Sequence, residues 1–409
     1  MANIYIKHNE GIDRLNPRIV FIFAVACGIS VANLYWAQPL LDSIAKTYGS
    51  NTATAGLTVT LTQIGYALGL VMLVPLGDII ERRGLIVFVL LLAALSLMIA
   101  AFSPNIIIFM LSSLAIGITS VVAQILVPFS ATLALDHERG KVVGQVMSGL
   151  LIGILLARTL SGLISALFGW RSVFGIASVL IIVLSILLSL SLPENKIDTK
   201  LNYAKLLKSV WELAKTEPVL RKRALYGALV FADFSVLWTS LTFVLARPPY
   251  GYSDAVIGLF GLIGASGAIS ATVAGRLADQ GLTKSVTGFF LAAILISFML
   301  MAMGRTNLLL LIIGIVILDL GVHGTHILNQ SEIYKLRPDA RSRLTTAYMT
   351  SFFIGGAIGS ATSAAMFSYE GWLGVCALGA IYSVIAIGVW AKERQLYSFK
   401  PLIEPRGSD

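Results

Sequence analysis

GLIVFVLLLAALSLMIAAF, residues 84–102, runs the length of a membrane-crossing helix without one charged side chain. About 20 apolar residues are enough to cross a bilayer as a helix, and runs of this kind recur along the whole chain. Hydrophobic residues make up 57% of the 409 and charged residues only 12%. A soluble globular protein carries about 25% charged residues. The chain therefore reads as an all-α, polytopic membrane protein.

Spans are expected near 19–46, 54–76, 84–102, 106–134, 142–168 and 171–192, and again near 222–247, 254–275, 284–303, 306–333, 344–368 and 371–391. These twelve transmembrane helices divide into two six-helix bundles, 1–192 and 222–391. Between them lies a polar linker, 193–221, whose LLKSVWELAK portion is amphipathic and suits a helix lying on the membrane surface. Residues 392–409 form a polar tail.

The net charge of +9 does not mark a nucleic-acid-binding protein, because the basic residues are scattered over short loops. They gather in alternate loops, and only Lys46, Arg171, Arg247 and Arg305 fall in the others. Positive charge marks the cytoplasmic side, so both termini are expected there, in a bacterial inner membrane. The first 18 residues lack the apolar core of a signal peptide. Cys27 and Cys376 sit in apolar runs and suggest neither disulfide nor metal site. No nucleotide-binding glycine loop, metal cluster or nucleophile motif is present, which argues against an enzyme.

The two halves repeat each other at an offset near 202 residues. Gly169-Trp170 matches Gly371-Trp372, Gly153 matches Gly355, and Arg139-Gly-Lys141 matches Arg341-Ser-Arg343. Two parallel six-helix copies are the order of a two-bundle transporter with its site near mid-membrane. A chain that supplies both halves itself is expected to act as a monomer.

The loop VPLGDIIERRG after the second span and its counterpart GRLADQG resemble the cytoplasmic loop signature of the major facilitator superfamily. That signature leads from a glycine by four residues to an aspartate followed by basic residues. The second copy keeps the glycine as Gly275 before Asp279, whereas the first has Val74 and matches through Asp78, Arg82 and Arg83. Within the superfamily, ANLYWAQPLLDSIA in the first span is similar to the drug:proton antiporters, which include multidrug exporters and sugar-efflux permeases. The resemblance implies proton antiport and no bound cofactor, with the proton gradient as energy source. It also implies that Asp78, Arg82, Arg83 and Asp279 latch the bundles while the cytoplasmic side is closed. A plainer role in setting topology is open to the two arginines.

The chemistry gathers in LDLGVHGTHILNQ, Leu318–Gln330. Asp319, His323, His326 and Gln330 are spaced i, i+4, i+7 and i+11, which puts them in one stripe about 60° wide on a helix. Titratable groups inside a membrane are costly and tend to be functional. The plainer reading is a polar stripe that holds the bundle together. The other charges near mid-depth are Arg158 and Asp233. Either a structural salt bridge joins Arg158 to an aspartate, or the aspartates carry protons beside a fixed cation. Arg158 keeps its charge at any relevant pH, whereas a carboxyl group loses its charge when it takes a proton, so Asp319 or Asp233 is the expected carrier, with His323 sharing the proton. Asn33, Tyr35, Trp36, Gln38, Gln124, Trp238, Asn329, Gln330 and Tyr348 are expected to line the substrate site, and together suit a small amphipathic or sugar-like compound. Uptake of an anion held by Arg158 is the alternative, and a channel is disfavoured by the lack of symmetric pore segments.

Overall fold

The computed structural model describes residues 5–7, 13–135, 137–193, 202–337 and 340–398. A short antiparallel hairpin opens the chain, β1 (Tyr5–Lys7) and β2 (Asp13–Leu15), with Tyr5 opposite Leu15. Nothing in the polar N-terminal tail marked it out. Thereafter the chain is helical: α1 (Pro17–Ala32), α2 (Leu41–Tyr48), α3 (Thr52–Met72), α4 (Arg82–Ala101), α5 (Ile106–Thr119), α6 (Val122–Leu133), α7 (Arg139–Phe168) and α8 (Trp170–Ser191). There follow α9 (Tyr203–Thr216), α10 (Pro218–Leu245), α11 (Asp254–Leu259), α12 (Ala265–Asp279), α13 (Thr283–Met303), α14 (Leu308–Tyr334) and α15 (Arg341–Ser398). The amphipathic segment of the linker is α9; residues 194–201 before it, and the tail beyond 398, lie outside the described residues.

Asparagine starts many of these helices. The side chains of Asn16, Asn51, Asn105, Asn202 and Asn307 each accept a hydrogen bond from a first-turn backbone N–H. Each satisfies a donor that the helix itself leaves orphaned. Among the described residues, ten helical segments are long and apolar enough to cross a membrane. The difference from the twelve expected spans lies in two places. The first apolar helix, Pro17–Ala32, has only 16 residues before the chain turns, and Arg341–Glu393 counts as one segment although it breaks at Gly371.

That break shows the internal repeat in the backbone. Gly169, between α7 and α8, has φ +81°, and its repeat mate Gly371 has φ +64°. Only glycine takes such angles without strain, and each is followed by a buried tryptophan, Trp170 or Trp372. α15 is thus two legs, 341–370 and 372–398.

Apolar attraction alone cannot drive helices together in lipid, so close backbone approach and hydrogen bonds must. A Cβ on Gly153 would lie 2.2 Å from the Gly28 carbonyl oxygen of α1, and one on Gly355 would lie 2.1 Å from the Ala228 carbonyl oxygen of α10. α3 and α5 press together in the same way at Gly65 and Gly117. The first half meets the second along two seams. In one, α3 runs beside the first leg of α15, with Tyr66 and Phe353 ring centroids 4.3 Å apart. In the other, α7 meets α11. α10 is buried at every residue from Val230 to Leu245, and the centre of the molecule is built around it.

Replacing Gly153 by Val should therefore destabilise the protein by about 1–3 kcal/mol or more, seen as a lower melting temperature in detergent. Gly144, with open space around its α-carbon, should accept Ala with no loss.

Candidate functional site

The first span does not continue as a helix to the far side. Pro39 has no N–H, and its ring would clash with the carbonyl four residues back in an unbroken helix. The chain leaves helix after Ala32, turns through Asn33–Ala37, makes one 3-10 turn at Gln38–Leu40, and resumes as α2. Non-helical backbone at membrane depth must be buried in protein and hydrogen-bonded there. Hydroxyls on neighbouring helices do this: Ser161 of α7 donates to the Trp36 carbonyl at 2.6 Å, and Thr242 of α10 to the Gln38 carbonyl at 2.7 Å. The irregular turn thereby holds Tyr35, Trp36 and Gln38 against α7 and α10.

Arg158 of α7 enters this turn. Its side chain is buried, with the residue 3% exposed. Nε donates to Gln38 Oε1 at 2.7 Å. The guanidinium carbon lies 4.0 Å from the Trp238 ring centroid, 4.6 Å from that of Tyr35 and 5.5 Å from that of Phe234. Aromatic faces attract a cation, and more strongly when water is excluded. Among the described residues, no ion pair joins Arg158 to Asp233 or Asp319, so the salt-bridge alternative is not formed in this conformation. Trp238 stands between instead: its ring faces the guanidinium, and its Nε1 donates to Asp319 Oδ1 at 3.4 Å.

Asp319 of α14 is fully buried. His323, one turn on, places Nδ1 2.9 Å from the Asp319 backbone oxygen and its ring edge-on to Phe234. α12 and the 3-10 stretch before it, Phe260–Gly264, close against this group through glycines. A Cβ on Gly261 would lie 2.7 Å from Arg158 Cβ, and one on Gly267 would lie 2.4 Å from His323 Nδ1. Gly261 thereby lets the second half approach Arg158, and Gly267 leaves room for the His323 ring.

The remaining residues of the predicted site fall into separate places. Asn33 accepts from Trp36 Nε1 at 2.9 Å, beside the Arg158 group. His326 Nδ1 lies 3.0 Å from the Tyr348 hydroxyl, and Arg223 Nη1 donates to Asn329 Oδ1 at 3.4 Å, both nearer the face that carries the chain ends. Gln124 donates to the Tyr66 hydroxyl at 3.2 Å inside the first half. Asp233 turns away from Arg158 and accepts from Ser383 on the second leg of α15 at 3.1 Å. Gln330 is partly exposed further along α14. Asp78 accepts from Arg82 Nη2 at 3.4 Å, and Arg82 also donates to the Gly77 carbonyl and lies over Phe129, all within the first half. Asp279 is exposed at the end of α12.

One cluster escaped the sequence. Asp254, at the start of α11, accepts from Ser43 of α2 at 2.8 and 3.0 Å and from Ser165 of α7 at 2.7 Å. Beside it Thr159 donates to the Gly258 carbonyl at 3.0 Å. These bonds fasten the halves on the side opposite the chain ends. An acid at a span boundary reads as a loop charge, and lone serines carry no local signal.

Hydrogen bonds to a charged acceptor contribute about 1.5–3 kcal/mol each, so Asp254→Ala should shift the balance away from this closed side about tenfold or more. Spin labels on the loops at 103–105 and 304–306 should then show a new long-distance population. An unchanged distribution would rule the fastening out.

Residues 20–359 match the family model described as Major Facilitator Superfamily. The chain is 52% identical over 376 residues to the Uncharacterized transporter YgaY of Escherichia coli O157:H7, covering 92% of this chain and 95% of that one. It is 24% identical to the Probable sugar efflux transporter of Helicobacter pylori (strain ATCC 700392 / 26695), over 82% of this chain and 85% of that one. Among solved structures, a bacterial homologue of the human lysosomal transporter Spinster, inward-facing and occupied, superposes with TM-score 0.77 at 14% identity, covering 93% of this chain and 97% of that one. The chain belongs to the major facilitator superfamily and is a multi-pass membrane transporter, not an enzyme.

Proposed function

We propose that the protein is a secondary transporter that works by alternating access and exports small amphipathic or sugar-like compounds in exchange for protons. The observation that carries this reading is Asp319: a fully buried carboxylate held on one oxygen by Trp238, between Arg158 and His323. It lies where the two halves and the irregular turn of the first span converge. A carboxylate with one arm held and no ion pair changes charge when its hydration changes, and alternating exposure to the two sides supplies that change. Arg158 is the fixed charge beside it. Likeness to the sugar efflux transporter of Helicobacter pylori supports the outward direction.

In this reading the bundles are 1–192 and 222–391, joined by the linker 193–221, with both termini in the cytoplasm of a bacterial cell. The protein acts as a monomer in its inner membrane, with no cofactor beyond the proton gradient. Asp78, Arg82, Arg83 and Asp279 then belong to a latch that engages when the cytoplasmic side closes. His326, Tyr348, Asn329 and Gln330 line the path toward that side, and Gln124 faces it from the first half. Asp233 is a second, reserve titrating site bonded only to Ser383 among the described residues.

The test is flux in proteoliposomes with and without an imposed proton gradient. Asp319→Asn keeps the acceptor for Trp238 and should leave a folded protein whose transport no longer responds to the gradient. Loss of that response in Asp233→Asn alone would move the carrier to α10, and full response in both variants would overturn proton coupling by these carboxylates. Arg158→Lys keeps the charge but neither the Nε bond to Gln38 nor the flat face on Trp238. Transport by this variant should fall at least tenfold.

A further inference from the structure

Nδ2 of Asn33, beside the Arg158 centre, has no hydrogen-bond partner among the described residues, and neither do three atoms of the centre itself: Nη2 of Arg158, Nε2 of Gln38 and Oδ2 of Asp319. All three residues are buried, at 3%, 1% and 0% exposure. Buried polar groups are nearly always hydrogen-bonded, and an exception calls for a reason. Here the exceptions are adjacent. Gln38 and Arg158 share a hydrogen bond, Arg158 lies on Trp238, and Trp238 is bonded to Asp319. Two unused donors therefore belong to the group at the face of the Trp238 ring, and one unused carboxylate oxygen to the residue at its Nε1 edge.

We infer that this centre recognises a dipolar head, a carboxylate and an ammonium on the same carbon, as in an apolar α-amino acid. The inference rests on reading the centre as the transport site. Arg158 Nη2 and Gln38 Nε2 would donate to the ligand's carboxylate, while Asp319 Oδ2 would accept from its ammonium. Tyr35, Phe234 and Trp238 surround the guanidinium with aromatic rings, an apolar setting that suits a ligand whose remainder is apolar.

Other ligand classes fit less well. A sugar would use the donors and the acceptor but would not repay the burial of two full charges. A simple anion would satisfy Arg158 and face the carboxylate of Asp319. A simple cation would satisfy Asp319 and face the guanidinium. A direct Arg158–Asp319 pair would cancel both charges, and Trp238 holds them apart so that each keeps one free atom.

The arrangement also supplies the exchange. A proton on Asp319 Oδ2 removes the site for the ammonium, so proton and ligand compete for one oxygen. The charged or titratable groups facing Asp319 are Arg158 from α7, His323 on α14 itself and Tyr35 from the turn after α1; the 3-10 stretch before α12 presents Gly264 there, and α10 presents Trp238.

Binding to the purified full-length protein, measured by thermal stabilisation and by equilibrium binding without any gradient, tests the ligand class apart from proton coupling. The probes are L-leucine, L-phenylalanine, 4-methylpentanoate, 3-methylbutylamine and glucose. At least one of the two amino acids should bind, with half-saturation at least tenfold lower than for the acid, the amine or the sugar. Its binding should weaken as pH falls and be lost in Arg158→Ala and Asp319→Asn. Equal binding of the singly charged analogues, preferential binding of glucose, or failure of both amino acids to bind overturns the inference. The wild-type ligand series stands whether or not the variants fold. Amino-acid binding untouched by both substitutions would instead remove the Arg158 centre as its site. Flux that ignores the proton gradient while the ligand preference holds would count against proton coupling alone.

Discussion

A guanidinium buried in the middle of a membrane protein can be neither discharged nor left bare. Much of the centre follows from that one constraint at Arg158. Gln38 must come close enough to accept from Nε, so the first span gives up its helix after Ala32 and bends inward. The carbonyls freed by the bend need donors, and α7 and α10 present Ser161 and Thr242 to them. The plane of the cation needs ring faces, which come from Tyr35, Phe234 and Trp238. The second half must pack against the same side chain, and it does so with glycine, since a Cβ at Gly261 would sit 2.7 Å from Arg158 Cβ.

The two seams between the halves are of different chemistry. Along α3 and the first leg of α15, small residues and hydroxyls meet, with Thr60 donating to Ser360 at 3.2 Å and Gln63 to Ser235 of α10 at 3.0 Å. These are neutral bonds that can be exchanged for similar ones as the helices slide. Along α7 and α11 the contact is charged at its end, at Asp254, and close-packed behind it. The first seam suits a surface of rolling contact, the second a clasp that is either made or broken.

How much of this was legible depended on how local the signal was. Membrane class, most span positions and the repeat rest on runs and spacings within single segments, and the pair Gly169-Trp170 and Gly371-Trp372 proved to mark the same turn in both halves. Asp319, His323 and Arg158 stood out because charge in an apolar run is conspicuous wherever it sits. Their partners did not. That Arg158 chooses Gln38 and three rings over either aspartate depends on contacts between residues 76 to 123 positions apart, which no local pattern encodes. The same holds for Asp254 with Ser43, 211 positions away. The break in the first span was foreshadowed by Pro39, and its reach back to Asn33 reflects the tertiary bonds that reward it.

The 3-10 stretch Phe260–Gly264 joins α11 to α12 at the depth of the buried charges. A 3-10 helix turns about 120° per residue and rises about 2.0 Å, against about 100° and 1.5 Å in an α-helix. Rewinding these five residues into α form would therefore shorten the span by about 2.5 Å and rotate α12 by about 100° relative to α11. Gly264 and Gly267 would then turn off Asp319 and His323. A side chain would come round in their place, while α11 kept its hold on α7. The span is built like a screw, in which a change of winding at one point becomes a change of face along the rest.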